Sequence, residues 1–169
     1  MEALKDLVDI LRKAGCPENV IRHCIAVCNK ALEIASRCKI SVDKELILVG
    51  ALLHDIGRSR THGIEHGVVG AEIARNFGFD ERIIRIIERH IGAGIPKEEA
   101  ERLGLPPRDY VPETIEEKIV AYADNLTKGE EYITFEEALE EFKRRLGDNH
   151  PAIERFIRLH KELQNLQCF

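Results

Sequence analysis

Leu46-Ile47-Leu48-Val49-Gly50-Ala51-Leu52-Leu53-His54-Asp55-Ile56-Gly57 is the stretch on which the fold turns. Its first eight residues are apolar on nearly every side, the pattern of a helix buried at a domain centre. The two ionisable residues that follow, His54 and Asp55, are costly to desolvate in such a place unless something compensates them. A divalent metal does so. Upstream stands His23, and downstream stand His66, His90 and Asp124, each expected on its own helix. These six residues make a metal site the first hypothesis.

Outward from that stretch, apolar residues recur with a helical period and no segment sustains period-2 alternation, which predicts an all-α fold. Leu4, Leu7, Val8 and Leu11 mark a first helix stopping at Gly15. Pro17 suits the first turn of a second helix running to about Lys39. Ser41 is the expected N-cap of the buried third helix, which should end at Gly57. A fourth helix is expected from about Glu65 to Gly78, and a fifth, capped by Asp80, from Glu81 to His90. The stretch from Ile91 to Glu113 is rich in Gly and Pro, with a small helix at Lys97 to Leu103. Thr114 with Glu117 and Thr134 with Glu137 have capping-box spacing. Pro151 starts the last helix. With no repeat, low-complexity tract or linker, residues 1–169 read as one domain, with a motif core of about 20–128 and C-terminal helices at 135–167 packing on it.

Composition narrows the function. With 44% hydrophobic and 33% charged residues, the chain is a globular protein and not a disordered one. A net charge of -5 argues against general nucleic-acid binding, which needs a basic face. No apolar run approaches a membrane span, and the N-terminus opens as amphipathic helix without a secretory core, so a cytoplasmic protein is expected. On the same ground the five cysteines, Cys16, Cys24, Cys28, Cys38 and Cys168, are expected as reduced thiols. Cys24 and Cys28 lack C-x2-C spacing and read as small buried hydrophobes. Oligomeric state is not readable.

Neighbouring helical residues point about 100° apart, so His54 and Asp55 meet one ion only beyond the helix end. Imidazole and carboxylate suit Fe, Mn, Zn, Co or Ni. His23, His54, Asp55 and Asp124 would hold one ion with positions left open, and Asp55 could bridge to a second held by His66 and His90. Two metals about 3.5–4 Å apart are a recurrent device for cleaving phosphoesters. Patterns for a Walker A loop, a nucleophile elbow and an HExxH metalloprotease are absent.

At these residues the chain resembles the HD superfamily of metal-dependent phosphohydrolases, with His54-Asp55-Ile56-Gly57 as its HDIG variant. His66 and His90 match the subgroup that carries two metals. The wording around His66-Gly67-Val68-Val69-Gly70-Ala71 and Ala121-Tyr122-Ala123-Asp124-Asn125 is similar to bacterial HD-type hydrolases that split diadenosine tetraphosphate symmetrically. The resemblance implies a metal-held hydroxide as nucleophile and Asp55 as bridging ligand. Its substrate would be a small phosphorylated compound such as a nucleotide. Many such proteins carry a lysine just after the motif; here Arg58 occupies the position, with the charge kept and the geometry changed. Arg58 is thus expected to act in catalysis and substrate binding, and His62, Asn125 and Lys128 to line the substrate path. The same ligand set also resembles HD-type mixed-valent di-iron oxygenases, and a noncatalytic nucleotide sensor is the third reading. His150 and His160 read as structural. The run from Glu136 to Arg145 reads as an exposed helix face with i,i+4 ion pairs.

Overall fold

Apolar patterning decides which helices lie inside. The computed structural model describes residues 2–169. It opens with α1 (Glu2–Ala14), α2 (Glu18–Arg37) and α3 (Lys44–Leu53). The all-round apolar α3 is the centre: Ile47, Ala51, Leu52 and Leu53 expose no surface. It packs against α1, α2, α5 (Glu81–Glu88) and α7 (Ile115–Asn125). Between these lie α4 (His66–Asn76) and the short α6 (Lys97–Leu103), and α8 (Phe135–Leu146) and α9 (Pro151–Asn165) close the chain. The result is a mostly helical bundle. One contiguous core runs from Leu7 to Cys168, and α8 and α9 join it through Ala138, Phe142, Ile153 and Phe156. Among the described residues no helix is long and apolar enough to cross a membrane.

The boundaries of α3 differ from expectation at both ends. Asp43, not Ser41, caps it, its Oδ1 accepting from the Leu46 amide at 3.0 Å. At the other end the helix stops at Leu53, and a 3-10 turn, Ile56–Ser59, replaces the expected continuation to Gly57. The cause is contact with α4. A Cβ on Gly57 would sit 1.9 Å from the His66 carbonyl oxygen and 2.8 Å from the Gly70 nitrogen. Only two glycines let these backbones touch, and that contact sets His66 beside the turn that follows Asp55.

Other elements refine the sequence reading. Thr114 caps α7 by accepting from the Glu117 amide at 3.1 Å, but the Glu117 carboxylate does not return the bond. It is buried and accepts instead from Arg89 at 2.8 Å and from the Glu113 amide at 3.0 Å. The Thr134–Glu137 box is complete. A two-residue hairpin, β1 (Thr127–Lys128) with β2 (Glu131–Tyr132), was not foreseeable from pattern at that length. The segment 91–113 has its own small core of Ile95, Ala100, Leu105 and Tyr110, closed by an Ile95–Tyr110 bridge.

The thiol expectation is corrected as well. Cys38 and Cys168 form a disulfide with their Cα atoms 3.8 Å apart, while Cys16, Cys24 and Cys28 are free and buried. The Lys39 amide donates to the Leu166 carbonyl, which folds the chain end back against the end of α2. Residues 130 apart in sequence are thereby joined, a pairing no local pattern announces.

Candidate metal centre

Each of the six residues reaches the centre for a local reason. His23 sits in the second turn of α2 and Asp124 in the last turn of α7. His54 caps the end of α3, and Asp55 leaves the helix with φ -102° and ψ 17°, so the adjacent side chains aim off the helix end together. His66 opens α4 and His90 follows the end of α5.

The four imidazoles share one tether. Nδ1 of His23 donates to Gly129 O at 2.7 Å and Nδ1 of His54 to Ala51 O at 2.6 Å. Nδ1 of His66 donates to Gly63 O at 2.8 Å and Nδ1 of His90 to Ile87 O at 2.6 Å. A carbonyl can only accept, so each neutral ring carries its proton on Nδ1 and turns the Nε2 lone pair inward. Such backbone contacts orient metal-binding histidines and fix their tautomer.

The Nε2 atoms converge on the two carboxylates. Asp124 Oδ1 lies 2.9 Å from His23 Nε2 and 3.3 Å from His54 Nε2. Asp55 Oδ2 lies 3.6 Å from both of those nitrogens, while its Oδ1 lies 3.3 Å from His66 Nε2 and 3.2 Å from His90 Nε2. One carboxylate thus faces two histidine pairs. Three overlapping triads, His23–His54–Asp55, His54–His90–Asp124 and Asp55–His66–His90, each have ligand atoms within 4.8 Å of one another. The middle triad was not anticipated, and it links the two expected halves through His90.

These groups fit a cation. His54 Nε2 and Asp55 Oδ1 are buried without a hydrogen-bond partner, and the His66 and His90 Nε2 atoms, both lone-pair bearing in the neutral rings, face each other at 3.1 Å. Unsatisfied buried polar atoms are costly, and a shared cation removes the cost. Without a metal, the carboxylates and imidazoles compensate one another's charge. Burial raises the Asp55 carboxyl, but the charge on protonated His54 and the close approach of the His66 and His90 Nε2 atoms outweigh it and hold Asp55 well below the usual range. Asp124 is likewise held low, burial being outweighed by the charge on protonated His54 and by the close approach of the His23 and His54 Nε2 atoms. Burial lowers His54 and His23, yet the carboxylates beside them leave both raised, His54 strongly. His90 is lowered, because burial there prevails over Asp55.

The cluster forms one end of a cavity of about 410 Å3, reached by His66, His90 and Asp124. Arg58, His62 and Asn125 line it too. Arg58 Nε donates to Asp55 Oδ2 at 3.2 Å. His62 is exposed on the loop before α4. The Asn125 amide donates to Gly92 O and Ala121 O, which fixes its side chain on the wall. Lys128 lies apart: its Nζ pairs with Glu141 at 2.8 Å, beside a smaller cavity of about 120 Å3 that shares Asp124 and Asn125.

Residues with no motif complete the site. The Gly129 carbonyl that orients His23 comes from the unforeseen hairpin. Arg145 and Arg155 line the cavity, as does His150, whose Nδ1 also accepts from the Ala152 amide to cap α9. A basic residue in a charged helical run gives no sign, in sequence, of facing a cavity.

Comparison with known proteins adds the lineage. The HD domain family model matches residues 20–129, a span that holds all six residues. An uncharacterized protein of Methanocaldococcus jannaschii is 59% identical over 154 residues, covering 89% of this chain and 91% of that protein. A tRNA (cytidine(56)-2'-O)-methyltransferase of Thermoplasma volcanium is 46% identical over 159 residues. That match takes in 94% of this chain but 46% of the methyltransferase, so the chain spans about half of that protein's length. The HD domain of the phosphodiesterase PgpH of L. monocytogenes, solved with cyclic-di-AMP, has the same fold. It aligns over 95% of both chains with a TM-score of 0.57 at 18% identity.

Proposed function

The chain belongs to the HD-domain family within the superfamily of metal-dependent phosphohydrolases, and on that premise we propose that it cleaves a phosphoester or phosphoanhydride bond. Its substrate is a nucleotide or related small phosphate compound. The observation that carries this reading is the convergence of four imidazoles and two carboxylates at one end of a cavity walled by Arg58.

His23, His54, Asp55 and Asp124 would hold one divalent cation, and His66 and His90, sharing Asp55, a second. Bound there, such ions supply Lewis acidity toward phosphoryl oxygens and make hydroxide available near neutral pH. The chain's own groups do the rest. The Nδ1 tethers hold all four rings in the ligating tautomer without reorganisation. Asp55 balances charge on both sides, since each of its oxygens faces a different histidine pair. Arg58, oriented by its bond to Asp55, keeps further N–H groups for phosphoryl oxygens, where a guanidinium can bind two at once. The solved PgpH domain with cyclic-di-AMP supports a nucleotide as the class of substrate.

The test is product formation by metal-reconstituted protein: phosphate from nucleoside monophosphates, linear monophosphates from cyclic nucleotides, and nucleoside phosphates from dinucleoside polyphosphates, diadenosine tetraphosphate included. Arg58→Ala should keep its metal and lose about 10²–10³ in kcat, the usual effect of removing a donor to developing charge. Turnover no greater than that of an Asp55→Ala control would overturn the proposal. Oxygen consumption in place of phosphate release would move the assignment to an iron-dependent oxygenase.

A further inference from the structure

A second wall of the cavity is formed by α8 and α9, outside the family-matched residues 20–129, and its Phe142 and Arg145 also share a smaller cavity with Asp124. Two features there bear on what it holds. Ile64, Leu103 and Leu146 all line this one cavity although they are 38%, 49% and 41% exposed. Scattered surface apolar residues are ordinary, but these come from three separate segments and line a single cavity. Beneath them, buried Phe142 is stacked on Phe156 at 4.6 Å, and the Arg145 guanidinium lies 5.4 Å from the Phe142 ring centre. The other two arginines of the lining are committed, Arg58 to Asp55 at 3.2 Å and Arg155 to Glu99 at 2.9 Å. Arg145 pairs with no carboxylate among the described residues, unlike its neighbours Lys143 and Arg144.

We infer that this wall is a nucleobase subsite, in which Arg145, backed by Phe142 and flanked by Leu103 and Leu146, takes the planar base of a nucleotide whose phosphate lies at the six-residue cluster. The orientation of the phosphate rests on the phosphohydrolase reading above; the base subsite rests on the rim and the arginine–phenylalanine platform. Guanidinium planes and apolar side chains both offer stacking surface to any base, so the site selects for the presence of a base more than for its identity. About 410 Å3 is near the lower end of small-molecule sites, which suits one nucleotide and not a polymer.

The experiment measures binding of adenosine 5′-monophosphate and of ribose 5-phosphate to the full chain loaded with manganese, by titration calorimetry. The same is done for Arg145→Ala and for Leu103→Asp. Both residues are exposed and neither belongs to the histidine–carboxylate cluster, so melting curves and metal content should match the unaltered chain. We expect the nucleotide to bind at least about tenfold more tightly than the sugar phosphate, the scale of one stacked base. Each substitution should shrink that advantage several-fold and leave ribose 5-phosphate unchanged. Equal affinities in the unaltered chain, no binding of the nucleotide, or an advantage that survives both substitutions would overturn the inference. Turnover assayed alongside separates the two readings. A base preference with no turnover of any compound in that substrate panel keeps the subsite and overturns the hydrolase, whereas turnover without base preference does the reverse.

Discussion

The two ends of the cavity are built by opposite means. At one end, four rings are each bonded to a backbone carbonyl, and His54, Asp55, His66 and His90 are buried. At the other, Leu103, Leu146 and Arg145 are exposed side chains on two helices. A change at the first end strands a buried polar group. A change at the second alters only surface. On the proposed reading, reaction chemistry would sit where the fold tolerates least, and substrate choice where it tolerates most.

That contrast breaks or sharpens in measurable ways. The largest effect belongs to Asp55→Ala, which removes the carboxylate facing all four histidines. Metal content should fall below one per chain and phosphate release to background. The metal-free fold should lose about 3–5 kcal/mol, as when one partner of a buried charge pair is deleted. Elemental analysis and denaturant melts check it, and full metal with an unchanged melt would erase the distinction between the ends. Next comes Gly57→Ala, whose Cβ would lie 1.9 Å from the His66 carbonyl oxygen. Forcing the turn and α4 apart should cost about 3 kcal/mol and weaken metal binding, although no ligand is altered. A metal titration of that variant decides whether backbone contact positions His66.

A third prediction concerns pH. In the metal-free chain His54 and His23 are raised, so the stability they contribute is full below about 6.5 and is lost as pH climbs through their folded values. His90, lowered by burial, contributes in the opposite sense, but the strong rise at His54 sets the net sign. Asp55 and Asp124 are held low, so their contribution is present above about 3.9 and lost only in stronger acid. With metal bound, protons compete with the ion and stability should increase with pH. Melting temperatures from pH 6.5 to 8 should therefore fall without metal and rise with it; parallel slopes would contradict the cluster's role. The smallest effect is Leu146→Ser at the rim, within about 0.5 kcal/mol of the unaltered chain and with full metal, as melts and elemental analysis would show.

What the sequence made legible follows the same divide. Helical periodicity and residue type are local signals, and they sufficed for the α-helical bundle, for α6 at Lys97–Leu103 and for six residues that the fold brings together. Features set by packing were hidden. Ser41 has the chemistry of a cap, yet the helix begins only at Lys44, after Asp43. Glu117 has capping-box spacing, but Arg89 from α5 captures its carboxylate. Arg145 reads as one more charge on a solvated face because nothing in its own segment reveals the cavity beside it. Positions that owe their surroundings to a distant segment carry no local mark of it.

The Cys38–Cys168 bond draws a covalent ring around most of this machinery. His54, Asp55, His66, His90 and Asp124 all lie inside that ring, and His23 is on the arm attached to it. A protease that nicks the exposed hairpin at Gly129–Glu130 would therefore not release a fragment. The clipped protein would run as one species until a reductant parts its pieces.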